Sequence, residues 1–151
     1  MEEKLTTQKD VATFGVPWEE AFGYVQALRR NGIIYISGQL SHDVCGKLVS
    51  PAQLDEDGKP SDFSNTEAQL RRTYENAGRL LAEFGATFDD VFEETIYVLD
   101  VDAAFPAAAK VRKEFYGCEQ PQVVSNLIGV SRLAFPEQLV EVTFRAAPDR
   151  Q

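Results

Sequence analysis

Histidine is nearly missing from this chain: its 151 residues contain one, His42. Any site built from two or more histidines, an HExxH zinc protease among them, is thereby excluded. Cysteine is almost as rare. Cys45 and Cys118 lie far apart, outside any CxxC pair and away from a histidine at zinc-finger spacing, so they are read as structural or incidental. No metal and no cofactor are expected. No apolar run approaches the roughly 20 residues that span a bilayer. The opening stretch MEEKLTTQKD also lacks the basic start and apolar core of a secretory signal. The expectation is a soluble, cytoplasmic protein with no membrane partner. Basic residues are scarce as well, with 15 Lys and Arg against 24 Asp and Glu and a formal charge of -9. Nucleic acid is therefore a poor partner, because the chain offers no broad cationic surface to phosphates. His42, beside Asp43, is read as a solvent-exposed turn histidine rather than a base.

The chain does contain enough apolar material, 44% of its residues, to enclose one core without disulfides or metal. We expect residues 1–16 to be an N-terminal extension and residues 17–148 a single domain. Tyr24 to Arg29 alternates as a strand does, Asn31-Gly32 supplies a tight turn, and IIYIS returns, giving a hairpin. Residues 41–65 shift to Asp, Gly, Pro and Ser and are expected to form a long surface loop that either flanks a site or carries an insertion. Ser64 or Asn65 can cap a helix whose Leu70, Tyr74, Ala77, Leu81 and Phe84 share one face, with Gly85 ending it. Val91 to Leu99 is β-branched and aromatic in the manner of a strand. Asp102 can cap a second helix that presents Phe105, Ala108, Val111 and Phe115 and ends at Gly117, with Pro106 in its first turn. Lys110, Arg112 and Lys113 are assigned to that helix's exposed face. The last two apolar segments, VVSNLIGVSRL and LVEVTFRAA, are separated by Ala134 to Gln138, a link short enough for antiparallel neighbours. Strands arriving in pairs around two helices predict an α+β fold, one sheet covered on one face. Trp18 is read as an aromatic that packs the N-terminal segment onto this sheet.

One residue sits awkwardly in that pattern. Glu141 lies between Val140 and Val142 in an apolar strand, where an unpaired carboxylate is costly to bury. Either a site role or an interface ion pair relieves the cost.

Several landmarks run in order along the chain: Gly23-Tyr24-Val25-Gln26, Ile36-Ser37-Gly38-Gln39, Asp43 and Gly46, then Gln69, Asn76 and Gly85-Ala86. Asp90-Val91, Tyr97-Val98-Leu99-Asp100, Leu133, Pro136 and Leu139-Val140-Glu141-Val142 complete the set. In this order and spacing, covering Pro17 to Ala147, the chain resembles the Rid family, the YjgF or reactive intermediate deaminase group. The resemblance implies a chorismate-mutase-like α+β protomer with a mixed or antiparallel sheet and two helices on one face. It also implies a homotrimer with three small-molecule sites in the clefts between subunits. Family deaminases hydrolyse a reactive enamine or imine to a keto acid and ammonia. In them an arginine grips the substrate carboxylate, a glutamate on the last strand positions or activates water, and a tyrosine and the SGQ turn line the pocket.

Carried over to this sequence, Glu141 matches the glutamate, Gly38 the turn glycine, and Tyr24, fourteen residues before Gly38, the tyrosine. The arginine is absent: counting back eight residues from Leu133 reaches Ser125, and counting forward two from Pro121 reaches Val123. Ala109 stands where the family has an asparagine. A serine offers a carboxylate one hydrogen bond and no charge, and charge-assisted bonds are roughly twice as strong. Arg132 is placed by strand alternation on the face opposite Ser125 and is read as solvated. The resemblance thus leads to a trimer whose clefts, with Glu141 catalytic and Tyr24, Gly38 and Ser125 binding, accept a small molecule other than the standard 2-imino acids. The alternative is a ligand-binding or regulatory protein that does no chemistry. An endoribonuclease is the least favoured reading, because of the acidic balance and the single histidine.

Overall fold

A computed structural model describes residues 10–148. Its elements are β1 (Asp10–Ala12), α1 (Pro17–Phe22), β2 (Ala27–Arg30), β3 (Ile33–Gln39), α2 (Thr66–Glu83), a 3-10 turn (Phe88–Asp90), β4 (Val91–Val98), α3 (Val101–Tyr116), β5 (Val124–Gly129) and β6 (Val140–Ala146). The fold is α+β, one six-stranded sheet in the order β1-β2-β3-β6-β4-β5 with three helices. The expected hairpin is present, its turn made by Asn31 and Gly32 with φ of 52° and 76°, the left-handed pair that matches strand twist. Within the expected N-terminal extension, Asp10–Ala12 pairs with β2 and lengthens the sheet. Residues 1–9 lie outside the described residues. No helix among the described residues is long and apolar enough to cross a membrane.

The two C-terminal strands are not neighbours. β5 ends at Gly129 and β6 begins at Val140, so the connection is ten residues long and crosses the end of β4. Bonds from Val130 N–H to the Val98 carbonyl and from Leu99 N–H to the Leu139 carbonyl pin that crossing. β6 inserts antiparallel between β3 and β4, and β5 lies parallel to β4 outside it, as a helical β4-α3-β5 crossover permits.

α2 and α3 cover one face. From the sheet, Ile34, Ile36, Ile96, Val98, Val140, Val142 and Phe144 are buried beneath them, and from α2 Leu70, Tyr74, Ala77, Leu80 and Leu81 meet these. α3 starts at Val101, two residues earlier than expected, because Asp100 rather than Asp102 caps it by accepting the Ala103 N–H at 3.1 Å. Pro106 is consequently the sixth helical residue rather than a first-turn residue. The inward stripe is Ala104, Ala107, Ala108 and Val111, while Phe105, expected on that face, is 69% exposed.

Three sequence assignments change with the packing. His42 is buried, not solvent-exposed, edge-on to Phe14 and Trp18 with ring centroids 5.1 and 5.3 Å away. Burial lowers its pKa, so it is held neutral more readily than a free histidine. Trp18 also meets Phe135, so it fastens α1 to the 41–65 segment and the β5–β6 connection rather than to a strand of the sheet. Arg112, assigned to the solvent face, turns inward instead: its Nε and Nη2 each lie 3.3 Å from Oε2 of Glu94, whose side chain is fully buried. The same oxygen accepts the Tyr74 hydroxyl at 2.9 Å. Lys110 and Lys113 remain exposed, paired with Glu67 and Glu119.

Removing one partner of a buried pair strands the other charge, whereas a surface pair is worth little. Arg112→Ala is expected to lower unfolding free energy by about 3 kcal/mol, and Arg71→Ala, which opens the exposed Arg71–Glu114 pair, by less than about 1 kcal/mol. Urea denaturation of both variants checks this, and equal losses would contradict the buried pairing.

Candidate functional site

The strand alternation that buries Val140, Val142 and Phe144 turns Glu141, Thr143 and Arg145 to the face that carries no helix. Across from β6, Gln39 pairs with Val142 and Ile36 with Phe144, so three steps on β3 oppose two on β6 and the strand bulges at Ser37-Gly38. Ser37 Oγ donates to the Val25 carbonyl at 2.8 Å, and Gln39 Nε2 donates to Gln26 Oε1 and to the Ser37 carbonyl, both at 2.9 Å. These bonds hold the bulge against the chain segment that carries Tyr24.

The Glu141 carboxylate lies directly on this bulge. A methyl group added at Gly38 would come within 2.6 Å of its Cδ and Oε2, so a glycine is what allows the close approach. Burial raises the Glu141 pKa above the ordinary carboxylate value, and a hydrogen bond from Gln138 offsets part of the rise. Tyr24 is also half-buried, and burial raises its hydroxyl pKa; the negative charges of Glu19 and Glu141 add to the rise. Glu19 is occupied structurally, accepting the Phe14 and Gly15 N–H groups at 2.8 and 2.9 Å. Tyr24, Gly38 and Glu141 are thus brought together. Tyr97, a landmark of the sequence that carried no site assignment, joins them: it is directly opposite Glu141 in the β4–β6 pairing, on the same open face.

Ser125 is elsewhere. It pairs in register with Glu94, donates to Glu94 Oε2 at 2.9 Å and accepts from Arg112 Nη2 at 2.8 Å. It therefore faces the helices, on the side of the sheet opposite Glu141 and three pairings along β4 from it. Val123, the other counted position, is half-buried against the core. An arginine does reach Ser125, but from α3. Nothing in the chain order signals this, since Arg112 and Ser125 meet only after α3 docks on β5. Arg132 lies in the β5–β6 connection, where strand alternation has no bearing, and is exposed with its Nε 3.4 Å from the Leu133 carbonyl.

The long segment 41–65 is ordered by local turns and by α2. Asp43 Oδ1 accepts the Cys45 and Lys47 N–H groups, and Asp55 Oδ1 those of Asp57 and Lys59. Buried Gln69 donates to the Ser50 and Glu137 carbonyls and accepts the Leu139 N–H, tying the loop to the strand that carries Glu141. Among the described residues no group of three or more His, Cys, Asp or Glu could hold a metal ion.

A family model described as Endoribonuclease L-PSP matches residues 18–147. A RutC family protein of Pyrococcus abyssi is 29% identical over 111 residues, 73% of this chain and 75% of that protein. The 3-aminoacrylate deaminase RutC of Acinetobacter baylyi is 27% identical over 119 residues, 79% of this chain and 82% of that one. Among solved structures, a Mycobacterium tuberculosis member of the YjgF/YER057c/UK114 family superimposes with a TM-score of 0.73 at 22% identity, covering 93% of this chain and 99% of that chain. At that identity the likeness is one of fold.

The raised Glu141 pKa has a sign. The folded state holds the proton more tightly than the unfolded chain, so the stability linked to this group is full below the ordinary glutamate value and is lost as pH rises through the raised one. Wild type should therefore lose stability relative to Glu141→Gln across that window. Gly38→Ala, which pushes the flexible carboxylate toward water, should shrink the loss. Denaturation at stepped pH reads both, and parallel profiles for wild type and Glu141→Gln would contradict the placement of this carboxylate.

Proposed function

Because the chain belongs to the Endoribonuclease L-PSP family, the YjgF or Rid group, some of whose members deaminate reactive enamine and imine intermediates, we propose that it is a homotrimer that hydrolyses a small enamine or imine in clefts between subunits. Glu141 is the acid/base or water anchor, and Tyr24 and Gly38 line the pocket. The observation that carries this reading is the half-buried Glu141 carboxyl on the Gly38 bulge with its pKa raised. A carboxyl tuned upward is better matched to proton transfer near neutral pH than a solvated one.

The open face of the sheet supports association of copies. The helix-free face leaves Tyr35 39%, Val124 65% and Ile128 42% exposed, and an apolar surface of this kind favours association. Ser125 and Glu141 stand on opposite faces of one sheet, so a ligand touching both must take them from different copies.

The substrate differs from the standard 2-imino acids. Ser125 is uncharged, and the guanidinium beside it is committed to buried Glu94, so a carboxylate gains little there. This commitment is also what favours the second reading, a trimer that binds a ligand without chemistry. RNA cleavage is the least supported, since the lone histidine is buried and the charge is -9.

The test is imine decay followed with the protein present. 2-Iminobutanoate generated in situ should decay at the buffer rate, and its uncharged carboxamide analogue should decay faster. Glu141→Ala should remove about 10²-fold of that acceleration. Acceleration that survives Glu141→Ala would remove Glu141 from the reaction. Buffer rates for both imines would leave the binding protein as the reading.

A further inference from the structure

A groove of about 640 Å³ lies between the tip of the 41–65 segment and the β5–β6 connection, within the size range of small-molecule sites. None of Tyr24, Gly38, Ser125 or Glu141 lines it. Its apolar lining includes Phe63 of the 41–65 segment, Leu133 and Phe135 of the β5–β6 connection, and Leu99 at the end of β4. Two cations, Lys59 and Arg132, also line it. Among the described residues neither enters an ion pair, as is also true of Arg30, Lys47 and Arg79, which lie outside this groove's lining, so both cations are available to a ligand. Arg132 makes one side-chain hydrogen bond, the 3.4 Å contact with the adjacent Leu133 carbonyl. Asp57 is the single acidic residue of the lining, so the groove is net positive in a chain of charge -9.

The walls are built before any ligand arrives. Asp55 fixes the tip through the Asp57 and Lys59 N–H groups. Gln138 Oε1 accepts the Phe135 N–H at 3.3 Å. The Ala52 N–H donates to the Glu137 carbonyl and joins one wall to the other. A preformed groove loses little to ordering when it binds.

We propose that this groove is a second binding site, separate from the Glu141 cleft, for a small amphipathic carboxylate whose apolar body lies between Phe63 and Leu133 and whose charge meets Arg132 and Lys59. An apolar body alone would not need the unpaired cations, and a compact inorganic anion would not need the aromatic walls.

Titration calorimetry on the full chain tests it, with 3-phenylpropanoate as the probe and 3-phenylpropanamide as its uncharged counterpart. The carboxylate should bind saturably and at least roughly tenfold tighter than the amide, the difference one charge-assisted bond supplies. Because Arg132 and Lys59 are exposed, Arg132→Ala with Lys59→Ala should fold normally and lose that tenfold. Glu141→Gln should bind the probe as wild type does. Equal binding of acid and amide, no saturable binding by wild type, or full affinity in the double variant would overturn the proposal. So would affinity lost in Glu141→Gln but kept in the double variant, which would put the probe in the cleft. Absence of binding here leaves the imine assay untouched, so the two readings fail separately.

Discussion

The position of β6 between β3 and β4 is the constraint from which the rest of the molecule follows. Its alternate residues divide the two faces: Val140, Val142, Phe144 and Ala146 are buried under the helices, while Glu141, Thr143 and Arg145 face away. A slip of one residue would send the carboxylate into the core and the valines into solvent, so the register is strongly determined. The same placement sets Glu141 on the Gly38 bulge and Tyr97 opposite it, and keeps Ser125, two strands away, on the other face.

Buried polar bonds fasten this arrangement where apolar packing alone would leave it loose. Gln69 and Asn76 on α2 reach the backbone of the long segment and of the turn before β6, each through more than one hydrogen bond. Glu94 is the more costly case, a fully buried carboxylate neutralised by Arg112 and bonded by Tyr74 and Ser125. An arginine in that environment serves the protein's own charge before any ligand's. The guanidinium that reaches Ser125 is therefore in structural use.

Local chemistry was legible in the sequence, and long-range geometry was not. Asn31-Gly32 announced its hairpin because two left-handed residues are needed there, and the stripe from Leu70 to Leu81 announced α2 because its spacing leaves one apolar face. Glu141 could be singled out because a charge between valines in a strand is costly. The strand order was missed because apolar runs do not show where hydrogen-bonded pairing stops; ten residues, not five, join β5 to β6. His42 looked exposed because its neighbours Asp43 and Gly46 are turn residues, while Phe14 and Trp18, which cover it, lie more than twenty positions away. Arg112 sits among Lys110, Lys113 and Glu114 and reads as one more solvated charge. Only the docking of α3 on β5 shows that it spans a buried carboxylate.

On the proposed function, other copies of the chain cover the helix-free face and bring a second Ser125 toward Glu141. The most direct measurement is the mass of the native particle in dilute solution, by native mass spectrometry or sedimentation equilibrium. Three chains per particle is the expected result. A stable single chain would leave Glu141 on an open sheet and contradict a cleft shared between subunits.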